Sequence, residues 1–336
     1  KLMDWVMKDE VRKLALFRFV DVLPSIEDNT SLMRHVHEYF SSFSDSAPLL
    51  IKGWLKVPYD SFVARGMASM VRSWGQKFAG QFIVGTSADD AISSLHKLRK
   101  DGRAFTVDLL GETTTSISEG LSYQEKYLSL INTLGKVIPS WKESAPLIPN
   151  HVGEQSALNI SVKLSALYPH PTPLNSHKAI AVLSERFSHL LSAAKKYNGF
   201  VYLDMEDSSK TDIIIETFKH TLSLNEFKEY PNAGIVLQAY MPRTGADLDS
   251  LISWGRTRGV PFGVRLVKGA YWDAEVTLCK QKGWLPPVWM KKESSDAYYE
   301  KLSIELLQNA DIVKPAFASH NVRSLVHAIT AAKQLG

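Results

Sequence analysis

From about residue 105 onwards, the chain alternates between short apolar runs and longer segments in which apolar residues recur at helical spacing. Each apolar run is long enough for one strand, and the helical segment after it is long enough for a crossover to a parallel neighbour. Six such repeats predict an α/β fold with a parallel sheet. The predicted strands are Phe105–Leu110, Asn159–Ser165, Phe200–Glu206, Gly234–Tyr240, Phe262–Ala270 and Lys314–His320.

Polar or ionisable side chains stand near the end of every predicted strand. (β/α)8 barrels build their active sites from the carboxyl ends of their strands, so this pattern favours a (β/α)8 TIM-type barrel. An open doubly wound sheet would show the same alternation, but no G-x-G-x-x-G motif follows the first strand. The strand-end residues are Asp108, Glu112, Lys163, Asp204, Glu206, Gln238, Arg265, Lys268, Ser319 and His320.

A complete barrel has eight strands, whereas six are predicted before the chain ends at Gly336. We therefore expect a distorted barrel that lacks its last two strands and its final helix. The first hundred residues instead show helical periodicity broken by Pro24, Pro48 and Pro58. This pattern predicts an N-terminal helical arm or cap over residues 1–102, followed by a barrel domain over residues 103–336.

Composition narrows the classes of function. The net charge of +4 is spread along the chain without a block of like charges, so nucleic-acid binding is not predicted. Cys279 is the only cysteine, which excludes an internal disulfide and a thiolate metal cage and fits a reducing compartment.

Location can be predicted from apolar runs. No run approaches the roughly 20 apolar residues that a membrane-spanning helix needs, and residues 1–10 lack the pattern of a signal peptide. A cytoplasmic protein is expected. Aromatic and basic residues near Trp54 and Lys56 also fit peripheral contact with a membrane, although a solvated helix end explains them equally well.

The segment RLVKGAYWD, at Arg265–Asp273, places two cations, a glycine and two aromatic residues at the end of one predicted strand. A long cation among apolar residues is costly unless an anion meets it. Gly269 lets a ligand approach the backbone closely, and Tyr271 and Trp272 could cover a flat ring. Together these residues favour a phosphate-bearing aromatic cofactor.

Four strand-end residues allow more than one interpretation. Lys163 and Asp204 should lie close enough to pair, either as a structural ion pair or as a site for a substrate carboxylate. Asp204 and Glu206 would share one face of an extended strand, where they could act as acid and base. No histidine motif accompanies them, so no metal site is predicted, and no Ser-His-Asp arrangement is present. His320 could bind a phosphate or serve a structural role.

The motifs together resemble those of the flavin-dependent proline dehydrogenases, in particular the form fused to an aldehyde dehydrogenase in bacterial bifunctional proline-utilisation proteins. Six stretches match in order along most of the chain. They are FRFVDVLP (Phe17–Pro24), ISVKLSALYPH (Ile160–His170), YLDMED (Tyr202–Asp207), VLQAY (Val236–Tyr240), VRLVKGAYWDAE (Val264–Glu275) and FASHN (Phe317–Asn321).

The resemblance implies a distorted (β/α)8 barrel with FAD at the carboxyl ends of its strands. The implied reaction is oxidation of L-proline to Δ1-pyrroline-5-carboxylate by hydride transfer to flavin N5, with a quinone as electron acceptor. The implied partner is a pyrroline-5-carboxylate or aldehyde dehydrogenase domain or enzyme.

The resemblance also implies roles for individual residues. Asp204 and Arg265 would be catalytic, with Arg265 near flavin N5. Lys163 would meet the substrate carboxylate, Leu266, Ala270 and Tyr271 would wall the proline ring, and Glu112 would be a gate over the site. The implied cofactor-binding residues are Leu203, Gln238, Arg265, Lys268, Gly269, Ala270, Trp272, Ser319 and His320.

One departure from the family concerns the substrate carboxylate. Two adjacent arginines of the family's last helix grip it, and this sequence contains no adjacent arginine pair. Lys163 alone is a point charge and would hold a carboxylate less firmly than a bidentate arginine does. Two alternatives therefore stay open: a flavin barrel that oxidises another small amine or a reduced folate, and a non-catalytic interaction domain of a larger protein.

Overall fold

A computed structural model describes residues 5–6, 8–79, 83–111, 113–141 and 156–336. The chain forms two compact units, Lys1–Thr86 and Ser87–Gly336. The boundary between the units follows Thr86, whereas the sequence predicted it after residue 102. The reason is a helix at Ala88–Lys100, which buries Ala91 and Leu95 in the core of the second unit.

The first unit is helical in its described residues, as the proline-punctuated sequence predicts. Its helices are α1 (Glu10–Val22), α2 (Asn29–Phe40), α3 (Leu49–Leu55) and α4 (Phe62–Ala79). Asp9 and Asp28 cap the first two helices by accepting hydrogen bonds from Arg12 N and Ser31 N. The core of this unit includes Phe19, Leu32, Met33, Val36 and Trp54, which are almost fully buried. Among the described residues of the chain, no helix is long and apolar enough to cross a membrane.

The second unit contains a parallel sheet of six strands in the described residues, in the sequential order β1-β2-β3-β4-β5-β6. All six predicted strands are present, and the sequential order is that of a barrel, as expected. The strands are β1 (Val107–Asp108), β2 (Asn159–Val162), β3 (Phe200–Leu203), β4 (Ala233–Gln238), β5 (Phe262–Val267) and β6 (Val313–Phe317).

Helices connect these strands and cover the sheet. They are α5 (Ala88–Lys100), α6 (Ile117–Val137), α7 (Leu164–Leu167), α8 (Ser176–Lys195), α9 (Thr211–Ser223), α10 (Thr244–Arg258), α11 (Trp272–Lys282), α12 (Lys292–Gln308) and α13 (Val322–Leu335). The buried faces of α5 to α10 and of α12 pack against the strands in one apolar core, whereas Val276 of α11 lies in a smaller cluster with Tyr240, Met241 and Val288. Every strand is therefore followed by a helix, as the alternating pattern predicts.

The strands end earlier than the apolar runs suggest. After β2 the chain turns directly into α7, and after β3 the carboxylate of Glu206 accepts a hydrogen bond from Ser165 N at 2.9 Å. The prediction that Asp204 and Glu206 share one face of an extended strand is therefore wrong. The Glu206 side chain instead satisfies a backbone donor that follows the neighbouring strand β2.

One hydrogen bond between two strands that are not neighbours shows that the sheet is curved. Arg265 Nη2 on β5 donates to Ser161 Oγ on β2 at 2.9 Å. Three strand spacings of a flat sheet would separate these strands by about 14 Å, so the sheet must curl around its interior. The aromatic rings of Phe200 and Tyr202 fill that interior opposite Gly234 and Gly263, where an added Cβ would lie 2.4 Å and 2.6 Å from the rings.

Candidate functional site

A cavity of about 470 Å³ opens where the carboxyl ends of strands β2 to β6 meet. It brings together most of the residues singled out from the sequence, although they come from five separate strand ends. The predicted residues that line it are Lys163, Asp204, Gln238, Arg265, Lys268, Gly269, Ala270, Tyr271, Ser319 and His320.

Arg265 forms the central polar contact of this cavity. Its Nη2 donates to Asp204 and also to Ser161 Oγ, and Ser161 Oγ in turn donates to Asp204 Oδ1 at 2.7 Å. The guanidinium carbon lies 4.9 Å from the ring centroid of Tyr202, within the range of a cation–π contact. Burial raises the pKa of Tyr202 to about 12, so this ring stays neutral beneath the arginine.

Lys163 lies between two carboxylates. Its Nζ is 2.7 Å from Asp108 Oδ2, at the end of β1, and 3.5 Å from Asp204 Oδ2. This confirms the expected pairing of Lys163 with Asp204. Burial raises the pKa of the Asp108 carboxyl, while the hydrogen bond from Lys163 acts in the opposite direction.

The four charged groups at the centre of the site balance one another. Two carboxylates, Asp108 and Asp204, face two cations, Lys163 and Arg265, and all four side chains are less than a third exposed. Partial burial strengthens their mutual attraction relative to water. A ligand with one anionic and one cationic group can join such a site without leaving net charge behind.

Gln238 holds three strand ends in fixed relation. Its Nε2 donates to the backbone oxygen of Glu206 at 2.8 Å, and its Oε1 accepts from Ala270 N at 3.3 Å. Its own backbone oxygen accepts from Thr244 Oγ1 at 2.6 Å. The amide is buried, so its orientation is set by these bonds and the ends of β3, β4 and β5 keep their spacing.

Gly269 has backbone geometry and packing that favour glycine. Its φ is +136°, and an added Cβ would lie 2.5 Å from ring atoms of Tyr240. A side chain at this position would therefore clash as well as strain the backbone. The peptide at Gly269 stays bare and open toward the cavity that it lines.

A second cavity of about 410 Å³ adjoins the first, since Lys268 and Gly269 line both. Its walls include Trp272 and Trp289, and Trp272 Nε1 donates to the Trp289 backbone oxygen at 2.9 Å. The Trp289 Nε1 is buried and has no acceptor among the described residues. Lys268 pairs with Asp296 and lies 5.6 Å from the ring centroid of Tyr299.

Three of the site residues predicted from the sequence do not line either cavity in the described part of the chain. Leu203 and Leu266 are fully buried in the apolar core between sheet and helices, because alternation along β3 and β5 turns them away from the interior. Leu266 therefore does not wall the cavity. Glu112, expected as a gate, lies outside the described residues. Trp272 lines the second cavity and not the first.

The structure adds residues that sequence reasoning passed over. Ser161 precedes Lys163 by two positions on β2, so period-two alternation could have placed both side chains on the interior face. The sequence indicates Asp108 only as a polar residue at a strand end. Asp296 and Trp289 come from distant helical and loop segments, where no local pattern points to the cavity.

No group of three or more histidine, cysteine or acidic side chains within the described ranges could hold a metal ion. The charged groups at the centre of the site are Lys163, Arg265, Asp108 and Asp204, and Lys268 also lines the cavity. Such a set can bind the carboxylate of a small zwitterion and the negative edge of an aromatic ring system.

Comparisons with known proteins agree along the length of the chain. A family model described as proline dehydrogenase matches residues 91–336, and one described as the proline utilization A N-terminal domain matches residues 1–82. Each matched range falls entirely within one of the two compact units.

Curated relatives carry matching names. The bifunctional protein PutA of Escherichia coli (strain K12) is 27% identical over 267 residues, which cover 79% of this chain and 19% of that protein. Proline dehydrogenase 2 of Bacillus subtilis (strain 168) is 26% identical over 269 residues, which cover 80% of this chain and 73% of that protein. The chain thus spans about a fifth of the length of its bifunctional relatives.

Solved structures extend the likeness to three dimensions. Proline utilization A from Bdellovibrio bacteriovorus, inactivated by N-propargylglycine, is 38% identical with a TM-score of 0.87, over 99% of this chain and 32% of that one. A mutant of Bradyrhizobium japonicum proline utilization A is 25% identical with a TM-score of 0.65, over 79% of this chain and 27% of that one.

Proposed function

Because this chain belongs to the proline dehydrogenase family, we propose that its cavity oxidises L-proline to Δ1-pyrroline-5-carboxylate with FAD as the cofactor. The observation that carries the proposal is the convergence of Lys163, Asp204 and Arg265 at one cavity mouth, from strands β2, β3 and β5. A small amino acid with a carboxylate and a ring nitrogen matches this balance of charges.

The residues present fit a flavin dinucleotide. Two adjoining cavities share Lys268 and Gly269, so one elongated ligand can occupy both. The bare peptide of Gly269 permits close approach, and the buried Trp289 Nε1 offers a donor without an acceptor among the described residues. We propose that Arg265 and Gln238 meet the ring system, and that Lys268, Ala270, Trp272, Ser319 and His320 hold the rest of the cofactor.

When bound, FAD supplies the hydride acceptor for the proline carbon next to the ring nitrogen. The protein's own part is to bind and orient. Lys163 would donate to the substrate carboxylate, while Ala270 and Tyr271 would enclose the proline ring. Holding the ring in one pose removes rotational freedom before the reaction and so lowers its barrier.

Arg265 and Asp204 act as an electrostatic pair in this scheme. Arg265 would stabilise negative charge on a bound flavin, and it would need no reorganisation because Asp204 and Ser161 already hold it. The nitrogen of proline must be neutral for its lone pair to assist loss of hydride. The rate should therefore rise with pH as the bound amine loses its proton.

The named relatives suggest partners. A bifunctional relative implies that a pyrroline-5-carboxylate dehydrogenase domain or enzyme takes the product, and a quinone is the proposed electron acceptor. We place the reaction in the cytoplasm, with peripheral contact at the inner face of the membrane where a lipid-soluble quinone would be reached.

Substrate competition tests the proposal. The holoprotein is assayed with L-proline in the presence of a five-membered cyclic acid that lacks the ring nitrogen. Competitive inhibition of proline oxidation, with no oxidation of a reduced folate, is expected. Folate oxidation that the cyclic acid leaves untouched would favour a different flavin barrel enzyme instead.

A further inference from the structure

Asp108 touches the proposed substrate-binding lysine without lining the cavity itself. Its Oδ2 accepts from Lys163 Nζ at 2.7 Å, and its Oδ1 accepts from Tyr127 Oη at 3.4 Å. The Asp108 side chain is 29% exposed and that of Lys163 is 15% exposed, so water competes only partly with their hydrogen bond. Charge-assisted hydrogen bonds of this kind are among the stronger ones in proteins.

The other carboxylate near Lys163 is already engaged. Asp204 accepts from Ser161 and from Arg265, and its distance to Lys163 Nζ is 3.5 Å, beyond a good hydrogen bond. Among the described residues, the charged and titratable groups near Lys163 include Asp108 from β1, Asp204 from β3 with its partner Arg265 from β5, and Tyr127 from α6, which donates to Asp108. Of the two carboxylates, Asp108 makes the shorter contact.

This inference rests on the proposed function. We propose that Asp108, supported by Tyr127, is a positioning residue that holds the Lys163 ammonium at the cavity mouth, closer to Asp108 than to Asp204. In that position the Lys163 ammonium can meet the substrate carboxylate at the cavity mouth. Asp204 then remains paired with Arg265.

The physical reason is the flexibility of lysine. Its ammonium is a point charge on a four-carbon stem, and it moves toward the nearest uncompensated anion. With Asp108 neutralised, the nearest other carboxylate among the described residues is Asp204, 3.5 Å away. Lys163 would then compete with Arg265 for Asp204, and the substrate carboxylate would have to pull it back. Tyr127 stays a proton donor because burial raises its pKa well above the ordinary value.

Asp108→Asn in the intact holoprotein tests the inference, because it removes the charge and keeps the shape. Loss of a charge-assisted hydrogen bond predicts a rise of about tenfold or more in KM for L-proline, with kcat changed by less than about threefold. The Kd of the unreactive cyclic acid, read from the flavin absorbance, should rise by a similar factor. Asp311→Asn is the matched control, since Asp311 pairs with Arg256 on the exposed surface and should leave both constants unchanged.

A double-mutant cycle with Lys163→Met separates positioning from a general structural effect. If Asp108 acts through Lys163, adding Asp108→Asn to Lys163→Met should change the Kd of the cyclic acid by less than about twofold. Multiplicative effects of the two substitutions would overturn the inference. So would a KM for Asp108→Asn within about twofold of the wild type.

Two further comparisons keep the test decisive. Should Asp108→Asn fail to fold, the same cycle is run with Asp108→Glu, which retains the charge but shifts the carboxylate, and the same criterion applies. Failure of the proposed function looks different. In that case the wild-type holoprotein itself does not oxidise L-proline, whereas failure of this inference leaves the wild type active and Asp108→Asn equal to it.

Discussion

Arg265 on β5 reaches past β4 to donate to Asp204 at the end of β3, and its guanidinium carbon lies 4.9 Å from the ring centroid of Tyr202. The arginine is thus held on two sides before any ligand binds. Its remaining exposed edge faces the cavity, where the side chain is 19% exposed. A prearranged cation of this kind is what a redox ring with developing negative charge would require.

Replacement of Arg265 should weaken cofactor binding and turnover together. Arg265→Met removes the cation and one donor to Asp204, so we expect the Kd for FAD to rise about tenfold or more. The free energy of unfolding should also fall by roughly 1 to 3 kcal/mol, because a partly buried carboxylate loses a charged donor. Equilibrium dialysis of FAD and urea denaturation measure the two effects. Arg256→Met, which breaks an exposed ion pair, should change neither, and an Arg265→Met protein with native FAD affinity would refute the role.

Lys268 should matter for the phosphate-bearing part of the cofactor more than for its ring. It lines both cavities, and a cation there can meet a phosphate. We expect Lys268→Met to weaken FAD binding by about tenfold or more, while riboflavin binding changes by less than about threefold. Fluorescence titration of both flavins is the measurement, and Lys280→Met on the exposed face of α11 is the control. Equal losses of affinity for FAD and riboflavin would contradict a contact between Lys268 and the phosphates of the cofactor.

Gly269 provides a test of the close contact between its backbone and the Tyr240 ring. Gly269→Ala adds a Cβ 2.5 Å from the Tyr240 ring at a φ of +136°. Strain and overpacking together should lower the free energy of unfolding by roughly 2 to 4 kcal/mol. Gly259→Ala is matched, because Gly259 also has a positive φ, of +72°, but nothing within 4 Å of an added Cβ. Gly259→Ala should lower the free energy of unfolding by only about 1 kcal/mol. An equal loss of stability at the two glycines would show that the Tyr240 contact is unimportant.

Glu206 predicts a specific dependence of stability on pH. Burial raises the pKa of its carboxyl above the ordinary value of 4.5, so the folded state holds its proton to higher pH than the unfolded state does. Stability from this group is complete below pH 4.5 and is lost as pH rises through the folded pKa. Glu206→Gln has no titrating group at this position and does not lose stability in this way. The free energy of unfolding of the variant should therefore increase relative to that of the wild type as pH rises above 4.5.

The opposite trend is expected for Glu300. A hydrogen bond from Arg323 lowers the pKa of Glu300, so its contribution is present above pH 4.5 and is lost as pH falls through the folded pKa. Glu300→Gln should therefore lose stability relative to the wild type as pH rises. Denaturation curves at several pH values compare the two variants. Parallel trends for both would contradict the assigned cause at Glu206.

Much of the architecture could be predicted from the sequence. The six strands, their order and their parallel direction follow from apolar runs separated by helical stripes, and the strand-end residues converge as barrel geometry requires. The ends of the strands could not be placed. Whether Ser165 extends a strand or starts a helix depends on the carboxylate of Glu206, which belongs to another strand end.

The site was harder to predict where partners come from distant segments. The family resemblance implies that Leu266 walls the proline ring, yet alternation along β5 turns it into the core between sheet and helices. Asp296 pairs with Lys268 from α12, and nothing near Lys268 in the sequence specifies that partner. Side-chain pairing across the barrel therefore needs the structure, although period-two reasoning could have found Ser161.

The absorption spectrum of the purified protein tests the central claim most directly. The holoprotein is loaded with FAD, freed of oxygen, and mixed with L-proline. The account predicts a yellow protein whose flavin band bleaches on addition of L-proline and stays unchanged with the cyclic acid that lacks nitrogen. A protein that binds no FAD, or that keeps its full colour with excess L-proline, would contradict it.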